Sequence, residues 1–249
     1  MLDPRVSIID KRLSNIDRII VVSSGKGGVG KSLIASTLAL LFKRKGFKTG
    51  LFDLDFTSPT THVVLGANNL RPIEDRGVVP PEIHGIKYMS LVFYLGDHVS
   101  PLRGTDLSNA FLELLAITRW GNLDFLIIDM PPGISDLMLD VLKYIKKANF
   151  LVVTSPSKMA FETIRKLIGL LKDLKIPIIG VIENMKIGGS TYIKHQIEAL
   201  GEKFLGEIHF DIKVEDALGN VGKLLETRFA RELDEITLRI QEEKRILSL

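Results

Sequence analysis

Apolar and polar positions along the chain fall into two alternating rhythms. Short uncharged runs, among them Ile19-Ile20-Val21-Val22, Phe125-Leu126-Ile127-Ile128 and Phe150-Leu151-Val152-Val153, have the length and composition of strands buried on both faces. Between them lie longer stretches with apolar residues at helical spacing. Phe111, Leu114 and Leu115 recur within 107–118, and Phe161, Ile164, Leu167, Leu170 and Leu171 within 159–174, which predicts a helix in each. Residues 33–45 hold no Pro or Gly and close on Lys43, Arg44, Lys45 and Gly46. Cations in a last turn followed by Gly mark a helix C-terminus. Further strands are expected at 51–55, 86–92, 175–185 and 204–208, and further helices at 191–200 and 228–246. Residues 66–85, with Asn68, Asn69, Pro72, Gly77, Pro80 and Pro81, read as loop. Residues 1–17 mix apolar and charged positions, as an arm or short helix packed beside the first strand would, or as a partner-docking arm would. Strands alternating with helices are the pattern of an α/β chain.

The junction between the first strand and the first long helix carries the clearest chemistry. Gly25-Lys26-Gly27-Gly28-Val29-Gly30-Lys31-Ser32 fits G-x-x-x-x-G-K-[ST] in full. Glycines let backbone N–H groups turn inward on an anion, and the helix N-terminus adds positive potential. Lys31 reaches terminal phosphates and Ser32 offers its hydroxyl to Mg²⁺. A glycine-rich turn between packed elements explains the glycines but not Lys31-Ser32, nor the additional Lys26.

Two strand ends supply carboxylates. Asp129 ends the uncharged run 125–128, as a Walker B aspartate meeting Mg²⁺ through water does. Asp53 and Asp55 are two apart and so share one side of a strand for as long as it stays extended. Both then face the phosphate loop, with Asp55 farther out. Asn184 ends the strand at 175–185, and its amide is able to read a base edge or to serve only the turn. No N-K-x-D motif follows it, so ATP is favoured over GTP. Arg103 is read as a surface or capping residue in preference to a phosphate contact across a dimer.

Composition narrows the classes. The chain of 249 residues is 45% hydrophobic and 25% charged, ample for a packed core, and has no apolar run long enough to span a membrane. The charged residues within Met1–Ile16 do not fit a signal peptide, so a cytoplasmic location is expected. With 33 basic against 30 acidic residues and no block of like charge, neither nucleic acid nor membrane is expected as a partner. The final helix carries both signs, unlike a basic membrane-targeting helix. Cysteine is absent, which removes disulfides, thiolate nucleophiles and cysteine metal sites. The five histidines show no tight ligand spacing.

Residues 26–32 resemble the deviant Walker A loop of the MinD, Mrp and ParA class of ATPases. Residues 120–136, Trp120 to Asp136, are similar to the W-G-x-L-D-x-L-(V/I)-I-D-x-P-P-G-x-x-D block of the Mrp branch. The resemblance covers about 19–225 and implies an α/β fold, a doubly wound, mostly parallel sheet with helices on both faces, in a single P-loop ATPase domain over 1–249. It implies a homodimer in which Lys26 reaches the partner's nucleotide. Lys26, Lys31 and Asp55 become the catalytic set, Asp55 orienting the attacking water. Ser32, Asp53 and Asp129 become the metal set, with Thr57 and Ser58 beside the phosphates. Gly25, Lys26, Gly27, Gly28, Val29, Gly30, Lys31, Ser32 and Leu33 contact ATP or ADP, and Asn184, Phe210 and Asp211 the base. His209-Phe210 here replaces the class's usual apolar–proline pair, so that contact is expected through backbone.

Most Mrp-type members carry C-x-x-C after the strand that ends in Asn184, holding a shared iron–sulfur cluster. In this chain residues 186–192 offer no thiolate. The chain is therefore similar to the cysteine-free, Mrp/MinD-type HypB of archaeal nickel–iron hydrogenase maturation. That resemblance implies nickel delivery through a HypA-like metallochaperone, with ATP controlling the docking. The alternative is an iron–sulfur carrier ATPase that borrows thiolates from a scaffold partner. A ParA/MinD-type partitioning or positioning ATPase comes third, for want of a basic face.

Overall fold

The computed structural model describes residues 3–68, 70–95 and 104–246. In chain order the first elements are α1 (Arg5–Ser14), β1 (Ile16–Ser24), α2 (Lys31–Arg44), β2 (Thr49–Asp53) and α3 (Thr61–Leu65). Short strands β3 (Ile73–Glu74), β4 (Val78–Val79) and β5 (Glu82–Ile83) precede β6 (Ile86–Ser90), α4 (Val92–Leu95) and α5 (Thr105–Ile117). Next come β7 (Leu123–Asp129), α6 (Asp136–Tyr144), β8 (Ala148–Thr154), α7 (Lys158–Asp173) and β9 (Ile178–Lys186). The chain continues through α8 (Tyr192–Ala199), β10 (Phe204–His209), α9 (Lys213–Ala217), α10 (Val221–Glu226) and α11 (Arg228–Ile246).

Eight strands form one sheet in the order β10-β9-β8-β1-β7-β2-β6-β5, parallel except for the β5–β6 pair at one edge. β1 lies between β7 and β8, with Val22 opposite Asp129 on one side and Ser24 opposite Val153 on the other. Its side chains alternate between two cores, as a period of two requires. Ile19 and Val21 join α1, α5, α6, α7 and α8, whereas Ile20 and Val22 join α2, α3, α10 and α11. Helices therefore cover both faces, and the chain winds to opposite sides of β1. That reversal opens a crevice at the carboxyl ends of the strands, where ligands gather in such sheets.

Several expectations are revised. β2 stops at Asp53, so Asp55 lies beyond the strand. There the Asp53 carboxylate accepts the Asp55 N–H at 3.0 Å, and Leu54 N–H donates to the Asp129 carbonyl at 2.8 Å, turning the chain aside. The loop expected over 66–85 contains the β3–β4 hairpin and β5. α6 was not expected, although Ser135 caps it by accepting the Met138 N–H. The arm is α1, which buries Ile9 and Leu13 and whose Arg12 donates to the Ala116 carbonyl. Arg103 lies outside the described residues.

Candidate functional site

The loop between β1 and α2 is shaped by positions that only glycine fills without strain. Gly28 and Gly30 sit in the left-handed region at φ 77° and 80°. A Cβ on Gly30 would also lie 2.3 Å from Asn184 Nδ2, and one on Gly25 the same distance from Thr163 Oγ1. The loop is thus pressed against α7 and the end of β9. Asn184 Nδ2 donates to the Val29 carbonyl at 2.9 Å, tying the strand end to the loop's backbone.

Inside the loop, Lys31 Nζ lies 2.6 Å from Asp129 Oδ1 and 3.1 Å from Ser32 Oγ. The Lys31 and Asp129 side chains are 7% and 0% exposed, so this ion pair is shielded from water. Asp129 Oδ2 is buried with no hydrogen-bond partner. Asp53 stands beside Asp129 in the β2–β7 register. Burial, and then the charge of Asp129, push the Asp53 carboxyl up to about 7, against the opposing pull of Thr61, the Asp55 N–H and Lys31. Burial also raises Asp129, opposed first by the Lys31 charge. The ammonium sits on Asp129, so Asp53 is the carboxylate that gives up its charge most readily.

Asp53 and Asp55 do not act as a pair. Asp53 Oδ2 accepts from Thr61 Oγ1 at 2.5 Å, and Thr61 in turn meets the Tyr88 hydroxyl at 2.8 Å. With Oδ1 held by the Asp55 N–H, both Asp53 oxygens face protein groups and Asp53 does not line the cavity. Asp55 does line it, with Oδ1 accepting from Thr57 Oγ1 at 2.8 Å and Ser58 N–H at 3.1 Å.

A cavity of about 780 Å³ opens over the loop. One end is walled by Lys26 to Leu33, Asp55, Ser58 and Pro132. The other is more apolar, with Val64, Met185, Phe210, Ile212, Leu218 and Phe229 beside Asn184, His209 and Asp211. The expected Lys26, Gly27, Gly28, Val29, Gly30, Lys31, Ser32, Leu33, Asn184, Phe210 and Asp211 all line it, while Gly25 and Asp129 are not among its lining residues. Val64, Leu218 and Phe229 were not foreseen. Val64 and Leu218 come from the five-residue α3 and the end of the five-residue α9, too short to show a period, while Phe229 opens the expected last helix, whose approach to the cavity no local pattern signals. Polar donors at one end and an apolar chamber at the other suit an anion carrying a flat hydrophobic group.

Residues 15–246 match the ParA family in the form described as NUBPL iron-transfer P-loop NTPase. An iron–sulfur cluster carrier protein of Methanocaldococcus jannaschii is 35% identical, the match covering 94% of this chain and 87% of that protein. One from Aquifex aeolicus is 35% identical over 82% of this chain, which spans 60% of that relative's length. A solved nucleotide-binding protein from Archaeoglobus fulgidus, in complex with ADP, superposes with a TM-score of 0.76 at 29% identity, covering 89% of this chain and 93% of that one. MinD of Pyrococcus horikoshii, complexed with Mg-ADP, shares the fold at a TM-score of 0.66 and 18% identity, over 92% of this chain and 98% of that one. None of these likenesses is to a hydrogenase-maturation protein, and the expected HypB resemblance is unsupported.

Proposed function

This chain belongs to the ParA family of P-loop NTPases, and from that premise we propose that it hydrolyses ATP as the switch of an iron–sulfur cluster transfer system. One observation carries the nucleotide part: beneath a complete phosphate loop, buried Asp129 holds Lys31 by one oxygen and keeps the other without a partner. That free oxygen and Ser32 Oγ fit Mg²⁺, which binds through few protein ligands and completes its shell with water and phosphate. Bound there, the ion neutralises charge on the phosphates.

The chain's own residues divide the remaining work. Loop N–H groups and the N-terminus of α2 bind the phosphates, and Lys31 moves from Asp129 toward them. Asp55, oriented by Thr57 and Ser58, positions the attacking water. Asp53 holds the turn that presents Asp55, which replaces its expected metal role. Lys26 is exposed at the cavity mouth, in keeping with action on the nucleotide of a second copy in a homodimer.

The cargo reading is supported by the carrier proteins to which the chain is similar. Its own residues do not fit a cluster. The 249 residues contain no cysteine, and the described residues show no group of three metal-binding side chains. The cluster is therefore substrate, held by thiolates outside these residues. The test pairs ATP hydrolysis with transfer from a loaded scaffold protein to an apo-ferredoxin. ATP-dependent acceleration of transfer is expected, with no iron–sulfur absorbance on this chain after reconstitution alone. A stable cluster on the chain, or transfer indifferent to ATP, overturns the cargo reading; absence of hydrolysis overturns the ATPase reading.

A further inference from the structure

The apolar end of the cavity is bounded by the segment between β10 and α9, and that segment is held by carboxylates at both its ends. Glu232, in the second turn of α11, accepts the His209 backbone N–H at 2.7 Å on one oxygen. Its other oxygen lies 3.0 Å from His209 Nδ1 and 2.7 Å from Arg228 Nε. In return Asp211 reaches the start of α11, accepting the Phe229 N–H at 3.2 Å and the Lys213 N–H at 3.1 Å. Each partner satisfies a backbone donor of the other, as in a capping box, but across tertiary structure. Between the two clamped residues stands Phe210, 57% exposed and lining the cavity. Its backbone N–H donates to the Lys186 carbonyl at 3.0 Å, so the Phe210 main chain is fixed on both sides and at its own amide.

Burial raises the Glu232 carboxyl, but the His209 N–H, Arg228 and the His209 ring together hold it below its ordinary range. Glu232 is therefore an acceptor only, and His209 must carry its ring proton on Nδ1. Among the described residues, the hydrogen bonds of this arrangement join His209, Phe210 and Asp211 to Lys186, Lys213 and α11, and none of them goes to residues 26–33.

We propose that Glu232, acting through His209, is a positioning residue for recognition of the nucleotide base, setting Phe210 as the ring against which the base stacks. The inference rests on the nucleotide reading above and deepens it: contact with the base, not with the phosphates, depends on α11. A large exposed aromatic at a cavity mouth loses area and orders itself only when a flat partner covers it.

The test compares ATP with inorganic tripolyphosphate, which has no base, by calorimetric titration of the full chain. Loss of a charge-assisted clamp in Glu232→Ala should weaken ATP about tenfold and shift tripolyphosphate by less than about twofold. Glu232→Gln, whose side-chain carbonyl still accepts one His209 N–H, should restore most of the ATP affinity. Should Glu232→Ala fail to fold, His209→Ala keeps the backbone bond and should still weaken ATP selectively, by roughly threefold. Equal weakening of both ligands, or of neither, overturns the proposal. Wild-type protein that binds neither ligand overturns the nucleotide reading instead.

Discussion

Replacing Lys31 by Met should weaken the fold itself as well as remove a ligand for phosphate. The ammonium lies 2.6 Å from Asp129 Oδ1 in a site where the two side chains are 7% and 0% exposed. Without it Asp129 keeps two buried oxygens with no cation, beside an Asp53 already pushed up to about 7. Breaking a buried pair by removing one partner costs about 3–5 kcal/mol, because the remaining charge is stranded. Against a domain stability of about 5–15 kcal/mol that is a large fraction. With an m value of about 3 kcal/mol/M, the urea midpoint should fall by roughly 1–1.7 M at pH 7. The sign of the pH dependence follows. Asp129 in the variant has a folded pKa above its unfolded value, so the folded state binds more protons between the two. The penalty is absent below about pH 4, grows as pH rises through the folded pKa, and is complete above it. Urea unfolding of Lys31→Met, Asp129→Asn and the double variant, at pH 5 and pH 7 without nucleotide, closes a mutant cycle. Additive effects, or a single variant as stable as the wild type at pH 7, would refute the reasoning. In that event Lys31 serves phosphate alone.

Other perturbations separate the remaining parts. Gly30→Ala places a Cβ 2.3 Å from Asn184 Nδ2 at φ 80°, so it should abolish ATP binding in titrations while urea unfolding stays cooperative. Lys186 Nζ lies 2.9 Å from both Glu183 and Glu207, and the Lys186 and Glu183 side chains are 1% exposed. Lys186→Met should therefore cost about 3–5 kcal/mol, with most of it recovered by adding Glu183→Gln; a wild-type urea midpoint for the single variant would argue against the cluster's weight. Lys26→Ala should leave ATP affinity intact but remove the rise of turnover per subunit with protein concentration. If the wild type shows no such rise, Lys26 does not act across a dimer.

The strands and the phosphate loop are readable because their signals are contiguous: a run of uncharged residues, a motif of fixed spacing, a carboxylate at a strand end. Asp129 and Lys31 were identified this way, 98 residues apart in sequence yet joined by one hydrogen bond. What stayed hidden depends on where extended backbone stops. Asp53 and Asp55 share a strand face only if β2 continues, and the Asp53 carboxylate itself ends it by accepting the Asp55 N–H. The partners of Asp53 then come from Thr61 and Tyr88, which no local pattern connects. The apolar end of the cavity was hidden for a similar reason. α3 and α9, which bring Val64 and Val214 to it, have five residues each, too short for a helical period to show.

α11 shows how such distant parts become one site. Its Asp234 pairs with Arg44 at 2.9 Å and Lys45 at 2.8 Å, at the C-terminal end of α2, whose first residue is Lys31. Two residues earlier, Glu232, together with the helix start, holds His209 and Asp211 at the cavity rim. Solvent-reached pairs such as those of partly buried Asp234 contribute little each, about 0–1 kcal/mol, so they set register more than stability. The anchoring comes from Phe229, Leu233, Ile236 and Ile240, all buried against the core that includes Ile34, Leu38 and Leu41 of α2. α11 is thus packed on α2 and bonded to the segment between β10 and α9 at once. A displacement of α2 would therefore either carry α11 with it, loading the Glu232 bonds, or break the Asp234 pairs and the apolar packing between the two helices.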